Sequence, residues 1–194
     1  MKATGHGDFK QPEPGTVSAV CTRIIDLGTQ ETEWQGKKKK ARKIMVGWEI
    51  EQIMDDSRPF LVLQRYTLSI HPKSVFGQHL ETWRGVPFTD EERDGFDPSR
   101  LLGKGCLLTL VKEGEYVNIK GIAKLPKGMA SLEPSGTLTL FDLDNFSPEA
   151  YAALSESVRA TIAKSPEYLK ATGAAPAHEE NQSHGSAATD DIPF

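Results

Sequence analysis

Hydrophobic positions recur with a period of two along one stretch of the chain in particular, residues 43–50. Ile44, Val46, Trp48 and Ile50 alternate with Lys43, Met45, Gly47 and Glu49. That is the pattern of a β-strand, whose successive side chains face opposite ways. After a turn at Asp55-Asp56-Ser57 and Pro59, residues 60–70 (FLVLQRYTLSI) form its partner in a hairpin. Residues 15–30, rich in β-branched side chains, predict an earlier strand, and 31–42 (ETEWQGKKKKAR) reads as a polar loop. Residues 106–111 and 116–125, joined by 112–115 (KEGE), predict a second hairpin. The stretch 137–143 adds a candidate edge strand.

The period changes at three places. Over 72–83, Val75, Phe76, His79, Leu80 and Trp83 fall on one side of a short helix. Short helical turns are expected at 89–92 and 97–99, where Thr89 and Asp97 stand as caps. Ser147-Pro148-Glu149 opens a helix to about residue 163, with Tyr151, Leu154, Val158 and Ile162 along one face, and Ser165-Pro166-Glu167 starts a last turn.

The order strand, strand–strand, helix, strand–strand predicts a mainly β protein. It fits a five-stranded Greek-key barrel of the OB-fold type with a helix between strands 3 and 4, followed by a C-terminal helix and a disordered tail. A β-sandwich would show similar strands but usually no mid-chain helix. The expected divisions are a flexible arm (1–14), an OB-fold-like domain (15–146), a helical segment (147–170) and a disordered acidic tail (171–194).

Charge sharpens this picture. The net charge is −4, but residues 171–194 carry Glu179, Glu180, Asp190 and Asp191 and no Lys or Arg, so residues 1–170 are neutral. Within that body Lys37, Lys38, Lys39, Lys40, Arg42 and Lys43 place six positive charges in seven residues. A local field of this kind, more than net charge, attracts a polyanion.

Cys21 and Cys106 sit in apolar runs without metal-ligand spacing, so both are expected in the core. There is no Walker loop, dinucleotide fingerprint or HExxH sequence. Asp55-Asp56 and Asp90-Glu91-Glu92 lie where turns and helix starts favour acids, and His71 and His79 have no nucleophile at an informative spacing. The expectation is a non-enzymatic protein without cofactor or metal. With no signal peptide and no apolar run of membrane length, it is also expected to be cytoplasmic and free of membrane.

Asp190-Asp191-Ile192-Pro193-Phe194 follows a segment that has nothing to bury. As a free tail the segment gives an apolar ring nothing of its own to pack on, so the expected use is a partner's apolar pocket with a basic rim, which suits both the ring and the acids. Pro193 biases Ile192 toward an extended conformation, which lowers the ordering cost of binding. This ending resembles the acidic tip of bacterial single-stranded DNA-binding proteins, although Thr189 stands where that family often carries further acids. Residues 15–128 do not match that family's core strands. They are similar in general character to phage-encoded single-stranded DNA-binding proteins of the OB-fold kind. The resemblance implies sequence-independent binding of single-stranded DNA in replication, recombination or repair, inside the bacterial host if the origin is phage. It also implies recruitment of helicase, nuclease, primase or polymerase factors through residues 190–194. A homo-oligomer is compatible with this reading.

Single-strand binders combine cations for phosphates with exposed rings for bases. The basic run with Trp34 beside it meets that requirement in the first inter-strand loop, though a lysine run can also serve solubility alone. Tyr116 and Lys120 share the polar face of their strand, and Lys112 is close to them in sequence. Arg65 and Tyr66 point to opposite faces, so at most one joins the DNA surface. Trp48 and Trp83 are expected to pack inside. Two rival readings are an adaptor that docks replication proteins without touching DNA, and a strand-annealing recombination accessory protein.

Overall fold

The computed structural model describes residues 10–34 and 36–173, apart from the side chain of Trp34. Six strands form one sheet: β1 (Gly15–Trp34), β2 (Lys37–Ile53), β3 (Pro59–Thr67), β4 (Gly105–Glu113), β5 (Tyr116–Ala123) and the short β6 (Thr139–Phe141). Five run in the spatial order β3-β2-β1-β4-β5, and β6 pairs with β1. All pairings are antiparallel except β1–β6, which is parallel.

The sheet is open. β3 and β5 end it on opposite sides, and no ladder joins them among the described residues, so the expected closed barrel is not formed. Helix α1 (Val75–Arg84) lies where closure would occur. Phe76 packs on Tyr66 of β3 with ring centroids 5.0 Å apart. Trp83 meets Trp48 of β2 at 5.9 Å and donates from Nε1 to the Gly105 carbonyl (2.9 Å). The Thr82 carbonyl accepts from the Lys124 amide at the end of β5 (3.1 Å). Ser74 starts this helix by accepting from the Gly77 amide, and Gly85 ends it at φ 81°, a left-handed conformation that a residue lacking Cβ adopts without strain.

The inward face of the sheet and α1 enclose the main core. It contains Cys21, Ile24, Ile44, Val46, Trp48, Ile50, Phe60, Cys106 and Leu108, together with Leu80 and Trp83 of the helix. The alternation at 44–50 thus predicts the buried face of β2, and both cysteines and both packing tryptophans sit as expected.

A second, smaller core lies on the outer face. Ile25, Leu27 and Met45 meet Phe141, Leu143, Leu154, Val158 and Ile162 there. Residues 44–48 are consequently buried on both sides.

Two expectations change at the element level. Residues 31–34 and 37–42 are not a loop: β1 and β2 remain paired out to Trp34 opposite Lys37, as a two-stranded ribbon. The predicted helix 147–163 is two helices, α3 (Pro148–Ala152) and α4 (Glu156–Ile162), because Ser155 takes an extended ψ of 152° as the cap of the second. α5 (Pro166–Thr172) follows, and its Glu167 carboxylate accepts from the Thr29 amide (2.8 Å) and hydroxyl (2.6 Å) on β1. Between α1 and β4 lie α2 (Asp90–Asp94) and a 3-10 turn (Pro98–Leu101), where helical turns are expected.

Candidate nucleic-acid interface

The ribbon divides its cations between two faces, because side chains alternate along each strand. Glu31, Lys38, Lys40 and Arg42 share one face; Lys37, Lys39 and Lys43 share the other. On the first face Glu31 lies 2.9 Å from the Lys38 ammonium and 3.7 Å from that of Lys40. The hydrogen bond from Lys38, and then its charge, hold the Glu31 carboxyl below its usual range.

Arg42 turns away from solvent. It donates to Asp26 through Nε and Nη2 and lies 3.0 Å from Asp144. Asp26 is buried and also accepts from the amides of Gly28 (2.9 Å) and Leu143 (3.4 Å). The hydrogen bond to Asp26 is the main reason why the guanidinium is held still more firmly charged than usual. Arg42 therefore ties the ribbon's root to the second core, and its head is engaged within the fold.

The second face continues into a groove of about 560 Å³ at the β2–β3 edge. Lys39, Lys43, Arg65, His71 and Lys73 line it, and no carboxylate does. Lys43 donates to the Thr67 hydroxyl at 2.8 Å. The groove also takes in Ser74 and Val75 at the start of α1, whose first turn carries no acid. A helix N-terminus presents unpaired amides and partial positive charge, so this end adds to the field of the lysines. Val75 is 58% exposed and offers an apolar contact at the rim.

Tyr66 belongs to the floor of this groove and not to an exposed surface. It is 4% exposed, and its hydroxyl is 2.9 Å from Nδ1 of His79. Burial pushes its phenol pKa up. The ring is enclosed by Phe76 and His79, with no free face for a base. Of the Arg65–Tyr66 pair, Arg65 is the exposed member. His71 and Lys73 joined no sequence-level candidate surface. They follow β3 in the chain, and only the β2–β3 pairing carries them to Lys43.

Lys112, Tyr116 and Lys120 belong to the β4–β5 hairpin, where Lys112 stands opposite Val117 and therefore on the other face from Tyr116, which stands opposite Glu113. Tyr116 is 67% exposed, and Lys120 pairs with Glu113. Gly15 faces Leu110 across β1–β4, whereas Trp34 faces Lys37 across β1–β2. The β4–β5 turn therefore lies at the start of β1 and the lysine run at its far end, up to roughly 60 Å away along an extended strand. The structure does not bring these three residues to the lysine run. Trp34 stands at the ribbon's end by its backbone, but its side chain is outside the described residues, as are Asp190, Asp191, Ile192, Pro193 and Phe194.

Among the described residues no three His, Cys, Asp or Glu side chains converge as metal ligands. No described helix is long and apolar enough to cross a membrane. Set against models of known protein families and against curated proteins, the chain matches none.

Proposed function

We propose that this protein binds single-stranded DNA without regard to sequence, on the groove formed by β2, β3 and the start of α1, with the lysine ribbon as a flanking arm. The observation that carries the reading is the acid-free groove of Lys39, Lys43, Arg65 and Lys73. Elsewhere on the ribbon an acid accompanies the cations, as Glu31 does Lys38 and Lys40. A surface that gathers cations without acids gains most when phosphates neutralise it and release their counterions. The strand order 3-2-1-4-5 with a helix after the third strand further supports a partly open OB-type fold, in which the face of strands 2 and 3 binds oligonucleotides. The protein would coat exposed strands during replication, recombination or repair. Residues 190–194 would recruit partner proteins by their ring and acids.

Fluorescence anisotropy with labelled oligo-dT, the matching duplex and RNA tests this reading. Oligo-dT should bind more tightly than duplex at 50 mM salt and weaken steeply by 200 mM. Lys39→Glu with Lys73→Glu should reduce affinity at least tenfold. It should also flatten the salt dependence by about 0.7 for each phosphate that the variant no longer neutralises. Equal affinity for single strand and duplex, or no change in the double variant, overturns the proposal.

A further inference from the structure

A second concavity has a different chemistry. It encloses about 640 Å³ between α1, the α2 region and the end of β5. Leu80, Trp83, Phe88, Phe96 and Leu101 give it an apolar floor. The rim is basic: Arg84 is paired with Glu92, which leaves Arg100, Lys104 and Lys124 facing a single further carboxylate, Glu91. An apolar hole of this size with a surplus of two positive charges suits a short acidic peptide with a bulky hydrophobic residue.

The chain supplies such a peptide. Residues 174–194 carry four acids, no Lys or Arg, and two large apolar side chains, Ile192 and Phe194. A residue that precedes proline, as Ile192 does, is biased toward an extended conformation. Side chains at i and i+2 of an extended segment point the same way, so both reach one floor while Asp190 and Asp191 stay at the rim.

The distances agree. α5 is held on β1 at Thr29, and the cavity lies at Gly105, which faces Val20 on the same strand. Nine residues of strand separate those points, about 30 Å. The sequence has 21 residues after Gly173, and a peptide of that length can reach up to roughly 70 Å, while a random-coil peptide of that length has a root-mean-square span of about 25 Å. Tethering at that length corresponds to a local concentration on the order of millimolar, so a weak site is filled.

We infer that the apolar cavity between α1 and the α2 region is a docking site for this chain's own segment 190–194, with Phe194 on the Leu80–Phe96–Leu101 floor and Asp190 and Asp191 against Arg100 and Lys124. A partner that captures the segment must first displace it, so the cavity sets a threshold for recruitment. The assignment does not rest on DNA binding.

Photo-crosslinking tests it in the full-length protein, with Phe194 replaced by p-benzoylphenylalanine, at about 1 μM and without DNA. Mass spectrometry should map adducts to Leu80, Phe96 or Leu101 within a monomeric band. Arg100→Glu with Lys124→Glu, both at exposed positions, should lower their yield at least fivefold. Adducts around Lys39 and Lys73, adducts without a dominant site, adducts joining two chains, or a yield indifferent to the charge reversal each overturn the inference.

Discussion

Asp26 joins the ribbon to the body through one carboxylate, which accepts from Arg42 and from two amides. One of those amides belongs to Gly28, at φ 68°. A Cβ there would lie 2.4 Å from both Cβ and Oγ of Ser165. Gly114 also has a positive φ, 63°, but a Cβ there meets nothing within 4 Å. Gly114→Ala should therefore cost about 1–2 kcal/mol, the left-handed penalty alone. Gly28→Ala should cost at least about 3 kcal/mol, because steric overlap and backbone strain add. Urea denaturation midpoints compare the two; equal losses would show that the β1–α5 junction yields. His79 makes the other residue-scale prediction. Burial lowers its pKa below the ordinary 6.5, so the unfolded chain takes up that proton first. The stability held by the neutral ring is fully present above pH 6.5 and is lost as pH falls from there through the folded-state value. The carboxylates act lower: Glu92, held at about 2 by Arg84, matters only below its ordinary 4.5. Melting temperature should thus decline between pH 7 and 5.5, and His79→Gln should flatten that decline. At this scale Trp48, Trp83 and the cysteines were legible because apolar alternation leaves one face for them. Tyr66 was not, since residues 60–70 place apolar side chains on both faces, and only the arrival of α1 decides which is covered.

At the scale of elements, a polar strand is hard to read. Residues 31–42 lack hydrophobic alternation because the ribbon has no core beneath it; its order comes from cross-strand pairing. Glu31 between Lys38 and Lys40 offsets the repulsion that four consecutive lysines impose. The same pair restrains two cations that phosphates could otherwise engage. Glu31→Gln should therefore raise affinity for oligo-dT a few-fold at most, about two- to fivefold at 50 mM salt, because an exposed ion pair is weak and solvent-screened. The gain should vanish in anisotropy measurements at 0.5 M salt. The break after α3 was equally hidden: Tyr151, Leu154, Val158 and Ile162 sit on one helical face, yet Ser155 caps a new helix, and both pieces reach the second core.

For the whole molecule, the order of elements was readable, because hairpins and caps are local signals. Closure was not, since whether β3 meets β5 depends on how far α1 wedges between them. The groove shares that limit: Lys43 and Lys73 are 30 positions apart, and only the sheet makes them neighbours. The acidic segment works at this scale too. Deleting residues 179–194 removes four negative charges and should raise affinity for oligo-dT at low salt, with the difference closing as salt screens it. Unchanged affinity at 20 mM salt in the same titration would show that the segment's charge is not felt at the groove.

The strand pair that carries the lysines is buried on both sides at Ile44–Trp48 and bare on both sides at its far end. Mechanically it is a cantilever, clamped at the root and compliant at the tip. Amide exchange should trace that gradient, with protons around Ile24 and Val46 released only by global unfolding and those at 31–33 and 37–40 within seconds. A ligand tugging on the tip would spend its force on bending an arm and leave the cores behind it undisturbed.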